Sequence, residues 1–189
     1  MKPSRYVLLD RDGTINHERH YLSQPDEIAL LPHSAEGLRM LAEAGYGLVV
    51  VTNQSPVGRG WLSEERLAQI HQRLEQLLRD ENVVLDGIYY CPHKPEDACQ
   101  CRKPLPGLVW RAAQELDFEP QECFVIGDKP CDIDLGRNIH ARTILVRTGY
   151  GAQYESAGLV ADHVVDSLVD AAEIIIRLEK QAPTGNACL

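Results

Sequence analysis

The sequence predicts a doubly wound α/β domain on a mainly parallel sheet, and three features predict it. Short apolar runs of strand length recur along the chain, helix-period segments stand between them, and the principal runs end in polar residues suited to chemistry. A run that is apolar on both faces reads as a strand covered by helices on both sides. In such sheets ligands bind beyond the carboxyl ends of the strands.

The first run, Tyr6 to Leu9, passes straight into Asp10-Arg11-Asp12-Gly13-Thr14. Two carboxylates one residue apart at a strand end can act as nucleophile and proton shuttle toward a phosphate ester, provided a divalent cation offsets their repulsion. The alternative is a simple turn, because Asp and Gly are ordinary turn residues. Next, Ser34 reads as the N-cap of a helix with Leu38, Leu41 and Ala42 on one face, ending at Gly45. Gly47 to Thr52 is a second strand, and Thr52-Asn53-Gln54-Ser55 at its end offers a hydroxyl and amides to phosphate oxygens.

Ser55 to Trp61 reads as a loop free to bend at Gly58 and Gly60, with Arg59 either reaching a substrate phosphate or standing in solvent. Ser63 caps a helix whose first turn carries Glu64 and Glu65 and whose apolar face is Leu67, Ile70, Leu74, Leu77 and Leu78. Gly87 to Tyr90 is the third strand. Arg102-Lys103-Pro104 then sets two cations before a proline able to help open the helix Leu108 to Leu116.

Cys123 to Ile126 is the fourth strand and leads into Gly127-Asp128-Lys129, where Asp132 either orients Lys129 or caps the following helix. Thr143 to Val146 is the fifth strand, and Val164-Val165 a short edge strand before a final helix, Leu168 to Leu178. Residues 1–180 form one domain and 181–189 a flexible tail. The intervals from Asp12 to Thr52 and from Thr52 to Lys103 are too short for a folded cap domain, so substrate choice falls to the loops 16–24 and 55–61.

Cys91, His93, Cys99 and Cys101 place four soft ligands in one short loop just ahead of Arg102-Lys103. The pattern reads as a structural Zn²⁺ site that holds the loop, with disulfides or free thiols as the alternatives. Cys123, Cys131 and Cys188 read as unliganded. His17 and His20 lie where they could touch a substrate, though a surface histidine without a role is the commoner case.

The formal net charge of −9 disfavours nucleic acid and leaves attraction of an anionic substrate to local cations. No amino-terminal apolar segment or membrane-length apolar run is present, which makes a cytoplasmic protein the expectation. A small soluble substrate is the partner expected, bound by a monomer.

In chain order, Asp10 to Thr14, Thr52, Lys103 and Gly127-Asp128-Lys129 resemble the four signature motifs of the haloacid dehalogenase superfamily of phosphatases. The resemblance implies Asp10 as nucleophile, Asp12 as general acid and then base, and Thr52 and Lys103 as holders of the phosphoryl group. It also implies a Mg²⁺ site made by Asp10, the Asp12 carbonyl and Asp128. Within the superfamily, Thr52 to Ser55 with Arg59-Gly60, the cysteine loop before Arg102-Lys103-Pro104, and Lys129 are most similar to heptose bisphosphate 7-phosphatases, and Pro56 departs from the glycine expected there. Those enzymes act on D-glycero-D-manno-heptose 1,7-bisphosphate in heptose activation for lipopolysaccharide or related glycans, so the likeness makes the expected partner a small phosphorylated sugar. The same likeness makes Glu18, Arg19, His20, Tyr21, Thr52, Asn53, Gln54, Ser55, Arg59, Arg102, Lys103 and Lys129 candidate substrate contacts. Histidinol-phosphate phosphatases share the layout and are the alternative; a non-catalytic sugar-phosphate binder is a third reading that has no use for a nucleophile.

Overall fold

The computed structural model describes residues 3 and 5–181, so Cys188 and the tail 182–189 lie outside the described residues. Six strands, β1 (Arg5–Leu9), β2 (Tyr46–Asn53), β3 (Gly87–Cys91), β4 (Phe124–Gly127), β5 (Arg142–Val146) and β6 (His163–Val165), form one sheet in the order β3-β2-β1-β4-β5-β6. Every pairing is parallel, with Leu9 opposite both Val50 and Ile126. The helices are α1 (Ser34–Glu43), α2 (Ser55–Gly58), α3 (Glu64–Asp80), α4 (Gly107–Leu116), α5 (Pro130–Asn138), α6 (Gly151–Ser156) and α7 (Leu168–Gln181). Short 3-10 turns lie at Pro25–Glu27 and Pro120–Glu122.

Alternation along the strands divides the core into two layers. Val7, Leu9, Leu48, Val50 and Ile126 face one way and pack with Leu38 and Leu41 of α1, Leu67, Ile70 and Leu74 of α3, and Ile175 of α7. Tyr6, Leu8, Val49, Val51 and Val125 face the other way onto Leu108 and Ala112 of α4, Leu135 of α5 and Ile139 just after it. Helices on both faces bury the central strands β1 and β2 almost entirely, which is why they carry apolar side chains at almost every position. Between β1 and β2 the described chain has room only for a 3-10 turn and α1, and between β2 and β3 only for α2 and α3. No inserted domain stands over the sheet in either interval. None of the described helices is long and apolar enough to cross a membrane.

Several local expectations change. The N-cap of α1 is His33, in the left-handed conformation at φ 62°, while Ser34 is the first helical residue and is buried. Ala42 faces solvent and Leu77 is only half-buried. The expected loop at Ser55 begins as the helical turn α2, because Pro56 at its start has a φ suited to a first helical turn and no N–H to lose. Pro104 does not open α4, which begins at Gly107 with Pro106 as its cap. Gln181 still belongs to α7.

Candidate active site

The strand order reverses between β1 and β4, and the ends of these two strands carry Asp10 and Asp128. Such a reversal leaves a crevice at the carboxyl edge of the sheet, because the helices following the two strands leave on opposite faces. The Asp10 N–H continues the ladder by donating to Ile126 O at 2.9 Å. Its carboxylate is 6% exposed, with Oδ1 accepting from Lys103 Nζ at 2.8 Å and Oδ2 lying 3.6 Å from Lys129 Nζ. Burial alone would raise its pKa, but the two ammoniums prevail and hold it at about 2. A buried carboxylate is thus kept ionised at the pocket floor.

Asp12 is set differently. Its carboxylate accepts from Arg11 Nη2 at 2.7 Å, Asn16 Nδ2 at 2.9 Å and Gln54 Nε2 at 3.0 Å. Burial again works against the charge, yet the Arg11 guanidinium and the Asn16 amide bring its pKa below the ordinary carboxylate value. Arg11 and Asn16 carry no role in the sequence reading. Arg11 is 1% exposed, which nothing in a loop-like Asp-Arg-Asp signals, although Asn16 stands four residues beyond Asp12 and could have been suspected. Gly13 (φ 87°) lets the chain turn against Asp128; a Cβ there would meet Asp128 Oδ2 at 2.3 Å.

Thr52 is buried at the end of β2, its Oγ1 accepting from Gln54 Nε2 at 2.9 Å. Asn53 grips the main chain of Lys103 twice, with Oδ1 accepting from its N–H at 3.0 Å and Nδ2 donating to its carbonyl at 3.2 Å. The Lys103 ammonium donates to Asp10 Oδ1, to Val51 O at 2.6 Å and to Asp132 Oδ1 at 2.6 Å. All three of its protons are committed. Burial would discharge it, but Asp10 and Asp132 raise its pKa well above the usual lysine range.

Asp132 therefore does more than the sequence reading allows. Its Oδ2 does cap α5 by accepting from the Lys129 N–H at 3.1 Å, while Oδ1 pairs with Lys103 rather than with the Lys129 ammonium. Asp128 is fully buried; Oδ2 accepts from the Tyr150 N–H at 2.9 Å and Oδ1 has no hydrogen-bond donor. Burial, then the nearby Asp10 charge, push its pKa up to about 7.

Asp10, Asp128 and Asp132 could together hold a cation. Both oxygens of Asp132 are already taken by Lys103 and the Lys129 N–H, so the better set is Asp10, Asp128 and the Asp12 carbonyl, which shares the Lys129 ammonium with them. Asp128 Oδ1, which accepts no hydrogen bond and has the Lys129 ammonium 3.4 Å away, and the all-oxygen donor set fit a hard divalent ion.

Around this floor the pocket is lined by Glu18, His20, Tyr21, Gln54, Ser55 and Arg102, along with Leu22, Pro56 and Cys131. Cys131, which the sequence reads as unliganded, reaches the pocket because α5 starts at the β4 crevice. Two expected contacts do not join the lining: Arg59 lies 3.8 Å from Glu96 with its guanidinium over Trp61, and Arg19 is exposed.

The second cluster sits at the end of β3. His93 Nδ1 is 3.2 Å from Cys101 Sγ, Cys91 Sγ is 3.2 Å from Cys101 Sγ and 3.8 Å from Cys99 Sγ, and all four ligand atoms lie within 4.8 Å of one another. Sulfurs at these separations are not disulfide-bonded. A tetrahedron with metal–sulfur bonds of about 2.3 Å has edges of roughly 3.8 Å, so the group could hold one ion with no position left open. Arg102 Nη1 donates to His93 O at 3.2 Å, and the Gly58 N–H donates to Pro92 O at 2.8 Å. The cluster loop thereby touches both Arg102 and the end of α2.

Comparisons with known proteins agree with this architecture. A HAD-hydrolase-like family model matches residues 100–171. The chain is 39% identical to the D-glycero-beta-D-manno-heptose-1,7-bisphosphate 7-phosphatase of Haemophilus influenzae, over 94% of its own length and 100% of the relative's. It is 36% identical to the enzyme of that name from Escherichia coli K12, over 93% of this chain and 96% of the other. Among solved structures, the D,D-heptose 1,7-bisphosphate phosphatase of B. bronchiseptica, complexed with magnesium and phosphate, superposes with a TM-score of 0.86 at 32% identity, covering 94% of this chain and 99% of that one. With its parallel sheet and its paired acids at the strand reversal, the chain belongs to the heptose-1,7-bisphosphate 7-phosphatase family of HAD-like phosphatases.

Proposed function

We propose that the enzyme removes the 7-phosphate of D-glycero-D-manno-heptose 1,7-bisphosphate through an aspartyl phosphate on Asp10, in nucleotide-heptose biosynthesis for lipopolysaccharide or related glycans. The observation that carries the reading is the ionised, buried Asp10 carboxylate held between two ammoniums on the pocket floor. A free carboxylate is the form that attacks phosphorus, and its fixed position removes much of the entropy of encounter.

Asp10 attacks phosphorus as the bond from phosphorus to the sugar oxygen breaks, and Asp12 gives that oxygen a proton. Water then attacks the aspartyl phosphate while Asp12 takes a proton back, releasing inorganic phosphate and restoring Asp10. Arg11, Asn16 and Gln54 favour the base form of Asp12, so its first proton is taken up when the phosphate brings negative charge beside it. Thr52 holds the phosphoryl oxygens, and Lys103 joins it with the N–H that Asp10 Oδ1 releases as Asp10 turns to phosphorus, with Asn53 and Asp132 positioning Lys103. Mg²⁺ held by Asp10, Asp128 and the Asp12 carbonyl would offset the charge shared by the acids and the phosphate. Zn²⁺ at Cys91, His93, Cys99 and Cys101 would be structural, fixing the loop that carries Arg102.

A second phosphate needs a cation away from the reacting one. Arg102 supplies it from the pocket wall, in place of Arg59, while Lys129, 3.6 Å from Asp10 Oδ2, stays with the reacting phosphate. We place its work in the cytoplasm, on a small sugar phosphate, and read it as a monomer that needs neither nucleic acid nor membrane. Purified protein with Mg²⁺ is expected to release phosphate from the heptose bisphosphate at least tenfold faster than from histidinol phosphate, and Asp10→Asn to lower turnover by about a thousandfold or more without unfolding. Preference for histidinol phosphate would replace the substrate; near-normal turnover by Asp10→Asn would remove the covalent route.

A further inference from the structure

The two ammoniums in the pocket are held in different ways. Lys103 is 4% exposed and spends its protons on three short contacts of 2.6 to 2.8 Å. Lys129 has a side chain 26% exposed and makes longer ones. Its Nζ donates to Asp12 O at 3.1 Å and Glu18 Oε2 at 3.0 Å, and stands 3.6 Å from Asp10 Oδ2 and 3.4 Å from Asp128 Oδ1. Its backbone is anchored separately, by the N–H bond to Asp132 Oδ2 at the start of α5.

Three of those four oxygens, on Asp10, Asp12 and Asp128, are the ones the proposed function assigns to a divalent cation, and the argument rests on that assignment. Mg²⁺ needs its oxygens at about 2.1 Å in a near-octahedral shell. An ammonium 3.1 to 3.6 Å from the same three oxygens would crowd that shell, two like charges side by side. The fourth oxygen belongs to Glu18, whose side chain is 20% exposed on the pocket wall beside the expected substrate. The lysine stem is long and flexible enough to change partners while its α-carbon stays in place.

We infer that Lys129 is a displaceable internal cation of the metal site: its ammonium holds the oxygens of Asp10, Asp12 and Asp128 and yields them to a divalent ion by moving onto Glu18. The exchange gives the metal three acceptors and leaves the ammonium one, the Glu18 carboxylate. It also places the displaced cation on the pocket wall, so that metal binding prepares the pocket for the substrate anion.

Calorimetric titration of MgCl₂ into the chelator-stripped full-length protein tests the inference without any turnover. Lys129→Met removes the competitor and is expected to bind Mg²⁺ about tenfold or more tighter; Lys129→Gln repeats the measurement should the first variant melt early. Glu18→Gln removes the acceptor that receives the ammonium and is expected to weaken Mg²⁺ binding by roughly threefold or more. Combined with Lys129→Met, Glu18→Gln should change the affinity by less than about twofold, because no ammonium is left to receive. An unchanged affinity in both Lys129 variants overturns the inference, and so does a Glu18→Gln effect of equal size in both backgrounds, which would make Glu18 a distant charge only. No Mg²⁺ binding by the parent protein overturns the metal assignment itself, and the inference with it.

Discussion

Asp128 shows at the scale of one residue how function opposes stability. Its carboxyl is completely buried with one oxygen lacking a donor, and burial pushes its pKa from 3.8 to about 7. The folded protein therefore retains a proton between about pH 4 and pH 7 that the unfolded chain has released, so this residue's contribution to stability falls as pH rises through that window and is fully adverse above it. In the presence of a chelator, Asp128→Asn should melt higher than the parent at pH 8, by of the order of 2 kcal/mol, and almost level with it at pH 4, while losing activity with Mg²⁺. Thermal melts across that range check it; a variant less stable at pH 8 would mean that the charged form is favoured in the fold. Asp10 has the opposite sign. Held at about 2 by Lys103 and Lys129, it stabilises the protein above the unfolded value of 3.8 and loses that contribution as pH falls toward 2. Both acids are legible in the sequence because each directly follows an apolar strand. The sequence does not show that Arg11 and Asn16 would hold Asp12, or that Asp132 would reach Lys103, since those contacts depend on buried directions and on segments far apart in the chain.

Among elements, the cysteine and histidine loop joins the sheet edge to the pocket. It contacts α2 through Pro92 and Gly58 and supports Arg102 through His93, whereas Lys103 is gripped independently by Asn53, Asp10 and Asp132. The two neighbours should respond differently to damage in the loop. Cys99→Ala is expected to lose about one equivalent of zinc by metal analysis, to melt lower, and to raise KM several-fold with kcat within about threefold of the parent. Asn53→Ala should do the reverse, lowering kcat about tenfold with zinc content intact, because both main-chain bonds to Lys103 disappear. Steady-state kinetics on the heptose bisphosphate separates the two patterns. The long elements are legible: α3 declares itself through Ser63, whose side chain accepts from the Arg66 N–H, and through its apolar period. The short ones are not. Four residues in α2 and six in α6 give too little length for a period to appear, and Ser34 is misleading because a cap residue only one position away, His33, takes the left-handed conformation instead.

Across the whole molecule, the fold is read from alternation and the site from strand ends, and both follow from burying a parallel sheet on two sides. Strand order is a different matter, for nothing local in β4 states that it lies beside β1 rather than β3; the right-handed crossover rule narrows the choices and long-range packing decides. Two glycines show how that packing divides between holding the molecule together and shaping the pocket. Gly37 on α1 lies against the start of α7, where a Cβ would meet the Leu168 carbonyl carbon at 2.4 Å, so any side chain must push the helices apart. Gly13 lies against Asp128, where a Cβ would meet a carboxylate oxygen at 2.3 Å on a backbone already at φ 87°. Gly37→Val should lower stability by about 2 to 3 kcal/mol, yet leave kcat and Mg²⁺ affinity per folded molecule near the parent's values, because the α1 to α7 seam carries none of the pocket's residues. Gly13→Ala should weaken Mg²⁺ binding and turnover by about a hundredfold even well below its melting temperature, since its clash falls on an oxygen of Asp128 itself. Melting curves, kinetics and Mg²⁺ titration on both proteins test the division. Equal loss of activity in the two folded variants would mean that the helical seam and the crevice are mechanically coupled, and that the sheet does not insulate the pocket from strain on its far layer.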